Sequence, residues 1–212
     1  MNPIRNILRG LAIAATAAAL AGCVSLFPKA DPVGLYRFGN DPATPVSKGP
    51  PGALFGVFKT PTIFTRASAG DRILTFTNGE AAYIGDARWV SPASVLFDEA
   101  VSRAFEADPG RARLIGRGEV AKSDLMLRLE VRSFETVYVN GPKTAPEVLV
   151  QVRGVLNRSS DRALVGDQVF EARVKASDNR VGPIVQAYDS ATGKALGDIT
   201  AWVSAAGGAL PK

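Results

Sequence analysis

The sequence contains no histidine and only one cysteine, Cys23, among its 212 residues. Without histidine, the serine and cysteine hydrolase arrangements that rely on an imidazole base cannot form, and no metal site can use an imidazole ligand. A single cysteine cannot form an intrachain disulfide or a cysteine-rich zinc or iron–sulfur site. The chain also lacks a phosphate-binding Walker sequence, because Gly116-Arg117-Gly118 is better explained as a turn before a strand. We therefore predict a protein that is not an enzyme and that holds neither a metal nor a dissociable cofactor.

A strong excess of charge of one sign is absent as well. Lysine and arginine number 25 and aspartate and glutamate 20, so the net charge is only +5, and the basic residues are scattered. This argues against a nucleic-acid partner, which would need a concentrated basic surface. The close carboxylates Asp98, Glu99, Glu106 and Asp108 lie on or just past the polar side of a predicted helix. We interpret them as a solvated face rather than as a glycosidase-like acid–base pair.

The N-terminus has the pattern of a secretory signal. Arg5 and Arg9 precede a short apolar stretch, Gly10–Leu20. This stretch is shorter than the roughly 20 residues of a membrane-spanning helix. A small-residue segment, Leu20-Ala21-Gly22-Cys23, follows it. We therefore predict that residues 1–22 are a signal peptide and take no part in the fold.

The segment Leu20-Ala21-Gly22-Cys23 resembles the bacterial lipoprotein signal, the lipobox. The resemblance implies that Cys23 becomes the new N-terminus and carries a covalent diacylglycerol and an N-acyl chain, which together anchor stably in a membrane. Val24 and Ser25 follow in place of the aspartate that retains lipoproteins at the inner membrane. The resemblance therefore implies an outer-membrane lipoprotein that faces the periplasm, with residues 23–32 as acylated N-terminus and tether. An ordinary signal peptide with a chance cysteine is the alternative.

The mature chain has the pattern of a single α+β domain over residues 33–206, with a C-terminal tail at 207–212. We predict a mainly antiparallel sheet with two amphipathic helices packed on one face. Asn78-Gly79 is a strong signal for a tight hairpin turn. Alternation of apolar and polar residues, or bounding turn signals, predict strands at 34–39, 53–59, 72–77, 80–84, 125–132, 148–153 and 170–175.

Two segments repeat apolar residues every three to four positions, which is typical of amphipathic helices. The first is predicted to begin at Ser91-Pro92, with Ser91 as the capping residue, and to end near Asp108. The second is predicted to run from about Pro183 to Gly207-Gly208. Gly193 and Gly197 are expected to let this second helix lie close to the sheet. The apolar positions are Val95, Leu96, Ala100, Ala104 and Phe105 in the first helix, and Ile184, Tyr188, Ala191, Ala195, Ile199 and Trp202 in the second.

Four segments together resemble the ABC-type transport auxiliary lipoproteins, the PqiC-like family. They are the lipobox and tether followed by Leu35-Tyr36-Arg37-Phe38, then Asp71-Arg72-Ile73-Leu74, then Ala87–Pro92, and last the closing helix Ala191–Val203. The resemblance implies a non-catalytic component of a lipid-transport system of the bacterial envelope. It implies an MCE-domain periplasmic protein as partner and, through it, an inner-membrane permease and ATPase. By analogy with ring-shaped conduits, it also implies a ring-forming homo-oligomer.

Two loops are candidate partner-docking sites, because loops on a rigid scaffold often carry binding residues. The first is the proline-rich stretch 40–52, with Pro45, Lys48, Pro50 and Pro51 as candidates. The second is the loop near 139–146, with candidates Asn140, Pro142 and Lys143. A plain surface loop is the alternative for each.

Two further groups of residues leave alternatives open. Trp89 and Trp202 either face a lipid or a partner, or pack in the core. Four strand arginines either form a basic patch for an anionic headgroup or an acidic partner, or are ion-paired with glutamates on a solvated sheet face. These arginines are Arg128, Arg132, Arg153 and Arg173.

Three functions fit these observations. The first is an adaptor that the acyl chains hold on the outer membrane and that docks a periplasmic conduit for phospholipid or sterol. The second is a periplasmic carrier that binds a lipid itself, which requires helices that stand away from the apolar face of the sheet. The third is an envelope-assembly lipoprotein with the same anchor and a different partner. We favour the adaptor because of the lipobox, the missing catalytic chemistry and the family resemblance. A filled core is preferred to a lipid pocket, because both predicted helices have apolar stripes of suitable size to close it.

Overall fold

The computed structural model describes residues 32–39, 54–116 and 118–209. The described residues from Val33 onward form one compact unit of the predicted α+β class. No helix in these ranges is long and apolar enough to cross a membrane. The elements, in chain order, are β1 Gly34–Tyr36, β2 Phe55–Lys59, β3 Ile63–Phe64, α1 Arg66–Ala69, β4 Arg72–Thr77, β5 Glu80–Trp89, α2 Ala93–Ala107, β6 Ala112–Leu114, β7 Leu125–Val137, β8 Glu147–Arg158, β9 Leu164–Lys175 and α3 Val181–Gly208.

Strand β7 is the centre of the sheet. One of its edges pairs along its whole length with β8, and β8 pairs with β9, both antiparallel. Its other edge pairs in succession with three short strands, β2, β3 and β4, all parallel to it. The antiparallel character that we predicted therefore belongs to the long strands and to the β4–β5 hairpin, whereas the short strands add parallel pairings.

The hairpin turn between β4 and β5 forms as predicted. Asn78 and Gly79 both have positive φ angles, 50° and 85°. Asparagine and glycine tolerate this backbone better than other residues, and it is what the tight hairpin turn requires. The second strand of the hairpin is longer than predicted, because β5 continues to Trp89.

Helices α2 and α3 close the apolar face of the sheet with a filled core. Four aromatic residues from different elements meet there: Phe38, Trp89, Phe134 and Tyr188, each at most 2% exposed. Neighbouring rings in this group have centroids 4.8–5.1 Å apart. Burial raises the pKa of the Tyr188 phenol, whose hydroxyl is bonded to Thr136. The space between helices and sheet that the lipid-carrier hypothesis requires is thus occupied by side chains.

Helix α2 begins one residue later than predicted. Its N-cap position is Pro92, with no side-chain cap, so the predicted capping role of Ser91 is wrong. The amide of Ala93 instead donates to the carbonyl of Gly70, 2.8 Å away, in the loop before β4. Val95 was also assigned to the wrong side, since it is 47% exposed. The buried side keeps the predicted Leu96, Ala100 and Phe105 and adds Phe97 and Val101.

The glycines of α3 act differently from the prediction. Gly193 and Gly197 are exposed and face away from the sheet, so they do not bring the helix close to it. The close approach is made at Gly207, where an added Cβ would lie 2.1 Å from the ring of Phe55. The helix ends at Gly208, close to the predicted end.

Three short elements were not predicted: β3, α1 and β6. None exceeds four residues, which is too short to show a periodicity. Tertiary pairing defines them instead, since β3 exists through its pairing with β7 and β6 through its pairing with β2.

Candidate functional site

The lipidation motif and one predicted loop lie outside the described residues. This applies to Leu20, Ala21, Gly22 and Cys23, and to Pro45, Lys48, Pro50 and Pro51 of the proline-rich stretch. Their roles stay predictions.

The second predicted loop joins β7 to β8 and presents Asn140, Pro142 and Lys143 to solvent. Its backbone is held in place from the other side by Asn179, which precedes α3. The side-chain amide of Asn179 donates to the carbonyl of Pro142, 2.9 Å away, and its oxygen accepts from the Tyr138 hydroxyl, also 2.9 Å away. The loop is therefore braced on the scaffold rather than attached only at its two ends.

This loop shares one end of the sheet with the hairpin turn. Strands β4 and β7 are parallel and end at the same level, with Phe76 paired to Val137. The Tyr138 amide then donates to the Phe76 carbonyl, 2.8 Å away. The β7–β8 loop, the Asn78-Gly79 turn and the start of α3 thus form a common end surface.

The outer sheet face is the side of β7, β8 and β9 that the helices leave uncovered. Arg153 lies at its middle and pairs with Glu130, 3.6 Å away, and with Asp167, 2.5 Å away. Arg132 also pairs with Glu130, and Arg173 with Glu171. Arg128 is the exception, being exposed without an ion pair in the described part of the chain. The ion-paired alternative is therefore correct for three of the four arginines.

Ion pairing and burial shift the pKa values of three carboxyl groups on the outer sheet face. The hydrogen bond from Arg153 lowers the pKa of Asp167, and the hydrogen bonds from Arg173 and Gln151 lower the pKa of Glu171. Glu135 differs, because partial burial raises its pKa. The lowered pKa values of Asp167 and Glu171 are typical of an ion-paired sheet surface.

Both tryptophans belong to the hydrophobic core or pack against it. Trp89 is 2% exposed and stacks edge-on against Phe38. Trp202 is half-buried and packs over β8 and β9, where Gly154 and Gly166 leave room for its indole: an added Cβ would lie 3.0 and 2.8 Å from the ring. The core alternative is therefore correct for both.

Of the four carboxylates on or just past α2, three are bonded within the chain, and the fourth, Glu106, is exposed to solvent. Asp98 accepts from Lys59 Nζ, 2.8 Å away, and from the Thr62 hydroxyl, 2.5 Å away. Glu99 is bonded to Arg37, and Asp108 accepts from Ser204 and from the Gly110 amide. Across the described ranges, no group of three or more histidine, cysteine, aspartate or glutamate side chains could hold a metal ion.

A cleft between α2 and α3 was missed in the sequence. It has a volume of about 660 Å³. Small residues form much of its wall, and the polar groups on it come from both helices. They include Arg103, Asp108, Asp189, Ser190, Thr192 and Lys194. The available signals were small residues on both helices: Ala100 and Ala104, assigned from the sequence to core packing, and Gly193 and Gly197, assigned from it to contact with the sheet.

Two comparisons relate this chain to known proteins. The family model of the ABC-type transport auxiliary lipoprotein component matches residues 43–200. Protein XCC0632 from Xanthomonas campestris has a similar structure, with 22% identity, a TM-score of 0.66 and coverage of 82% of this chain and 97% of that one. A second solved structure, of an uncharacterized protein, gives 12% identity, a TM-score of 0.63 and coverage of 82% and 100%. At these identities the two structures show the fold alone. A search of curated protein sequences found no match.

Proposed function

The chain belongs to the family of ABC-type transport auxiliary lipoprotein components, and from this premise we propose that it is a non-catalytic adaptor of an ABC-type lipid transporter in the bacterial envelope. In this proposal Cys23 carries diacylglycerol and an N-acyl chain in the outer membrane, and the α+β body faces the periplasm. The body docks an MCE-domain protein, which connects it to the inner-membrane permease and ATPase. The match of the family model over residues 43–200 is the observation that carries the proposal.

The β7–β8 loop is the docking element that the geometry supports best. Its exposed residues Asn140, Pro142 and Lys143 are held by the bonds to Asn179 described above, so little conformational freedom is lost when a partner binds. Val139 next to them is 60% exposed, which adds an apolar contact to the polar ones. A braced loop with a mixed surface is suited to protein docking.

The proposed tether between the anchor and the body is short. Residues 23–32 form the proposed tether, and ten extended residues reach at most about 35 Å. The body then stays close to the membrane that holds Cys23. A ring of several copies around the end of the conduit completes the proposal, and analytical ultracentrifugation of the protein with its partner would test it.

Site-specific photo-crosslinking in intact cells tests the docking role. A photoreactive amino acid is placed at Asn140 or Lys143 of the acylated protein, and crosslinked partners are identified by mass spectrometry. The matched control position is Ser160, which is also exposed but lies in the turn between β8 and β9, at the opposite end of the sheet. We expect an MCE-domain protein to be captured from 140 and 143 and not from 160.

Two other results would change the proposal. Capture of only outer-membrane assembly factors from all three positions would favour the envelope-assembly role. A lipid that co-purifies at about one per chain, detected by native mass spectrometry, together with no captured protein, would favour the carrier. The anchor is tested separately, since the C23S variant should lose incorporation of labelled palmitate while the parent protein retains it.

A further inference from the structure

The α2/α3 cleft contains two buried polar atoms without hydrogen-bond partners. Thr192 is only 1% exposed, and its Oγ1 atom has no partner. Nη2 of Arg103 is buried and also has none. Both residues line the same cleft, one on each helix. Buried polar atoms are nearly always paired, so two unpaired atoms on residues that line one cleft point to a missing hydrogen-bonding group.

The unused hydrogen-bonding capacity of the cleft consists mainly of donors. Of its two carboxylates, Asp189 accepts from the Gly39 amide, 2.5 Å away, and Asp108 accepts from the Ser204 hydroxyl, 2.9 Å away. The two cations of the cleft have weaker ionic partners or none within the described residues. Arg103 reaches Glu99 only at 3.8 Å through Nη1, and Lys194 forms no ion pair in the described part of the chain. A ligand that completes the hydrogen bonds of these donors must therefore supply acceptors.

The open part of the cleft lies on the α3 side. Beside Arg103 the chain is closely packed, since a Cβ at Gly39 would lie 3.2 Å from Nη2 and 2.8 Å from the Cβ of Ala100. On α3, a Cβ added to Gly193 or Gly197 would meet nothing within 4 Å. The volume of about 660 Å³ falls in the usual range of ligand sites, roughly 300–1,000 Å³. Leu196 and Ala104 add an apolar part to the wall.

We propose that the α2/α3 cleft is a binding site for a phosphate group, held by Arg103, Thr192 and Lys194. The guanidinium supplies charge-assisted hydrogen bonds, the threonine hydroxyl donates one more, and the ammonium adds charge at the open side. The phosphate belongs either to inorganic phosphate or to the headgroup of a phospholipid whose apolar part contacts Leu196 and Ala104. The proposal does not depend on the docking role of the β7–β8 loop.

Binding is measured on the full mature protein, purified in an uncharged detergent, by isothermal titration calorimetry at low ionic strength and pH 7. The two probes are inorganic phosphate and dihexanoyl phosphatidylglycerol below its micelle concentration. The variants are R103Q and T192V. The control is R128Q, which removes an unpaired, exposed arginine from the outer sheet face. Unfolding temperatures of all variants show whether each one is folded.

For whichever probe binds, we expect R103Q to weaken binding about tenfold or more, since a charge-assisted bond is lost. T192V should weaken it by a smaller factor, and R128Q should leave it within about twofold. Saturation by inorganic phosphate identifies the free anion as sufficient; binding of the phospholipid alone identifies the headgroup of a lipid. Absence of binding of both probes up to about 10 mM, or equal effects of R103Q and R128Q, would overturn the proposal. A failed crosslink at Lys143 would leave it standing.

Discussion

The outer sheet face and the α2/α3 cleft are both polar, but they satisfy their charges in opposite ways. On the outer sheet face, Arg153 bridges Glu130 and Asp167, and Arg173 holds Glu171. In the cleft, the Nη2 atom of Arg103 and the Oγ1 atom of Thr192 have no partner although both are buried. In the first region three of the four arginines are ion-paired within the chain and the fourth is exposed to water, whereas the second region has buried donors without acceptors.

The difference shows why charge content alone does not locate a site. An exposed arginine such as Arg128 is solvated by water and needs no protein partner. A buried donor has no such alternative, so its missing bond costs free energy unless a ligand supplies it. Burial combined with missing partners, rather than the number of cations, distinguishes the cleft from the outer sheet face.

The largest loss of stability is expected at Lys59, a largely buried cation whose ammonium has three hydrogen-bond partners. Lys59 is 12% exposed and donates to Asp98, Thr62 and the Thr60 carbonyl. D98A leaves this ammonium without its carboxylate and should lower the free energy of unfolding by about 2 kcal/mol, measured by urea denaturation. The control E99A removes an exposed carboxylate one residue away and should cost less than about 1 kcal/mol. Equal losses would show that burial of the cation does not decide the cost.

In the cleft, a substitution is expected to raise the free energy of unfolding rather than lower it. T192V removes a buried hydroxyl that has no partner, so it should raise the free energy of unfolding by about 1 kcal/mol. T200V is the matched control on the same helix. Thr200 is 3% exposed, but its hydroxyl donates to the Gly197 carbonyl, 3.0 Å away, so the same change should not stabilise the protein. If both variants lose stability in thermal and urea unfolding, the hydroxyl of Thr192 is satisfied and the comparison fails.

The outer sheet face should tolerate the loss of its central arginine. R153Q removes two exposed ion pairs and is expected to cost less than about 1 kcal/mol, because water and salt screen them. The cost should shrink further when urea unfolding is repeated at high salt. A loss above about 2 kcal/mol that salt does not change would mean that this network is structural.

The smallest effects concern pH and have opposite signs at two glutamates of the outer sheet face. Burial raises the pKa of Glu135, so the folded state binds its proton more tightly than the unfolded state, and stability is lost as pH rises through that pKa. E135Q should therefore stabilise slightly at pH 7, and this gain should disappear at acid pH. Glu171 has a lowered pKa and contributes stability that is lost as pH falls, so E171Q should destabilise slightly at pH 7. Urea unfolding of both variants from pH 7 downward checks the signs.

The long elements could be predicted because their periodicity extends over many residues. The alternation at Leu125, Leu127 and Leu129 predicted β7 and its buried side, and the spacing from Ile184 to Ile199 predicted the buried stripe of α3. The turn at Asn78-Gly79 followed from the positive φ angles that these residues accept. Elements such as β3 were not predictable, because a two-residue strand exists only through its neighbour.

The candidate sites also have features that local sequence predicts and features that depend on contacts between distant segments. Exposure of Asn140 and Lys143 followed from the turn residues around them, but the support from Asn179 joins positions far apart in the chain. The cleft could not be predicted at all from spacing, because Gly193 and Gly197 look alike whether they face a sheet or a gap.

The sequence by itself determined the α+β class, the two main helices, the long strands and the family to which the chain belongs. These properties depend on local periodicity, turn chemistry and motif order, which do not require knowledge of distant contacts. Only the tertiary structure decided which arginines are paired, where Trp202 lies and which donors in the α2/α3 cleft lack acceptors. Each of these depends on which residues from distant segments meet, and the packing of two helices on one sheet is what brings them together.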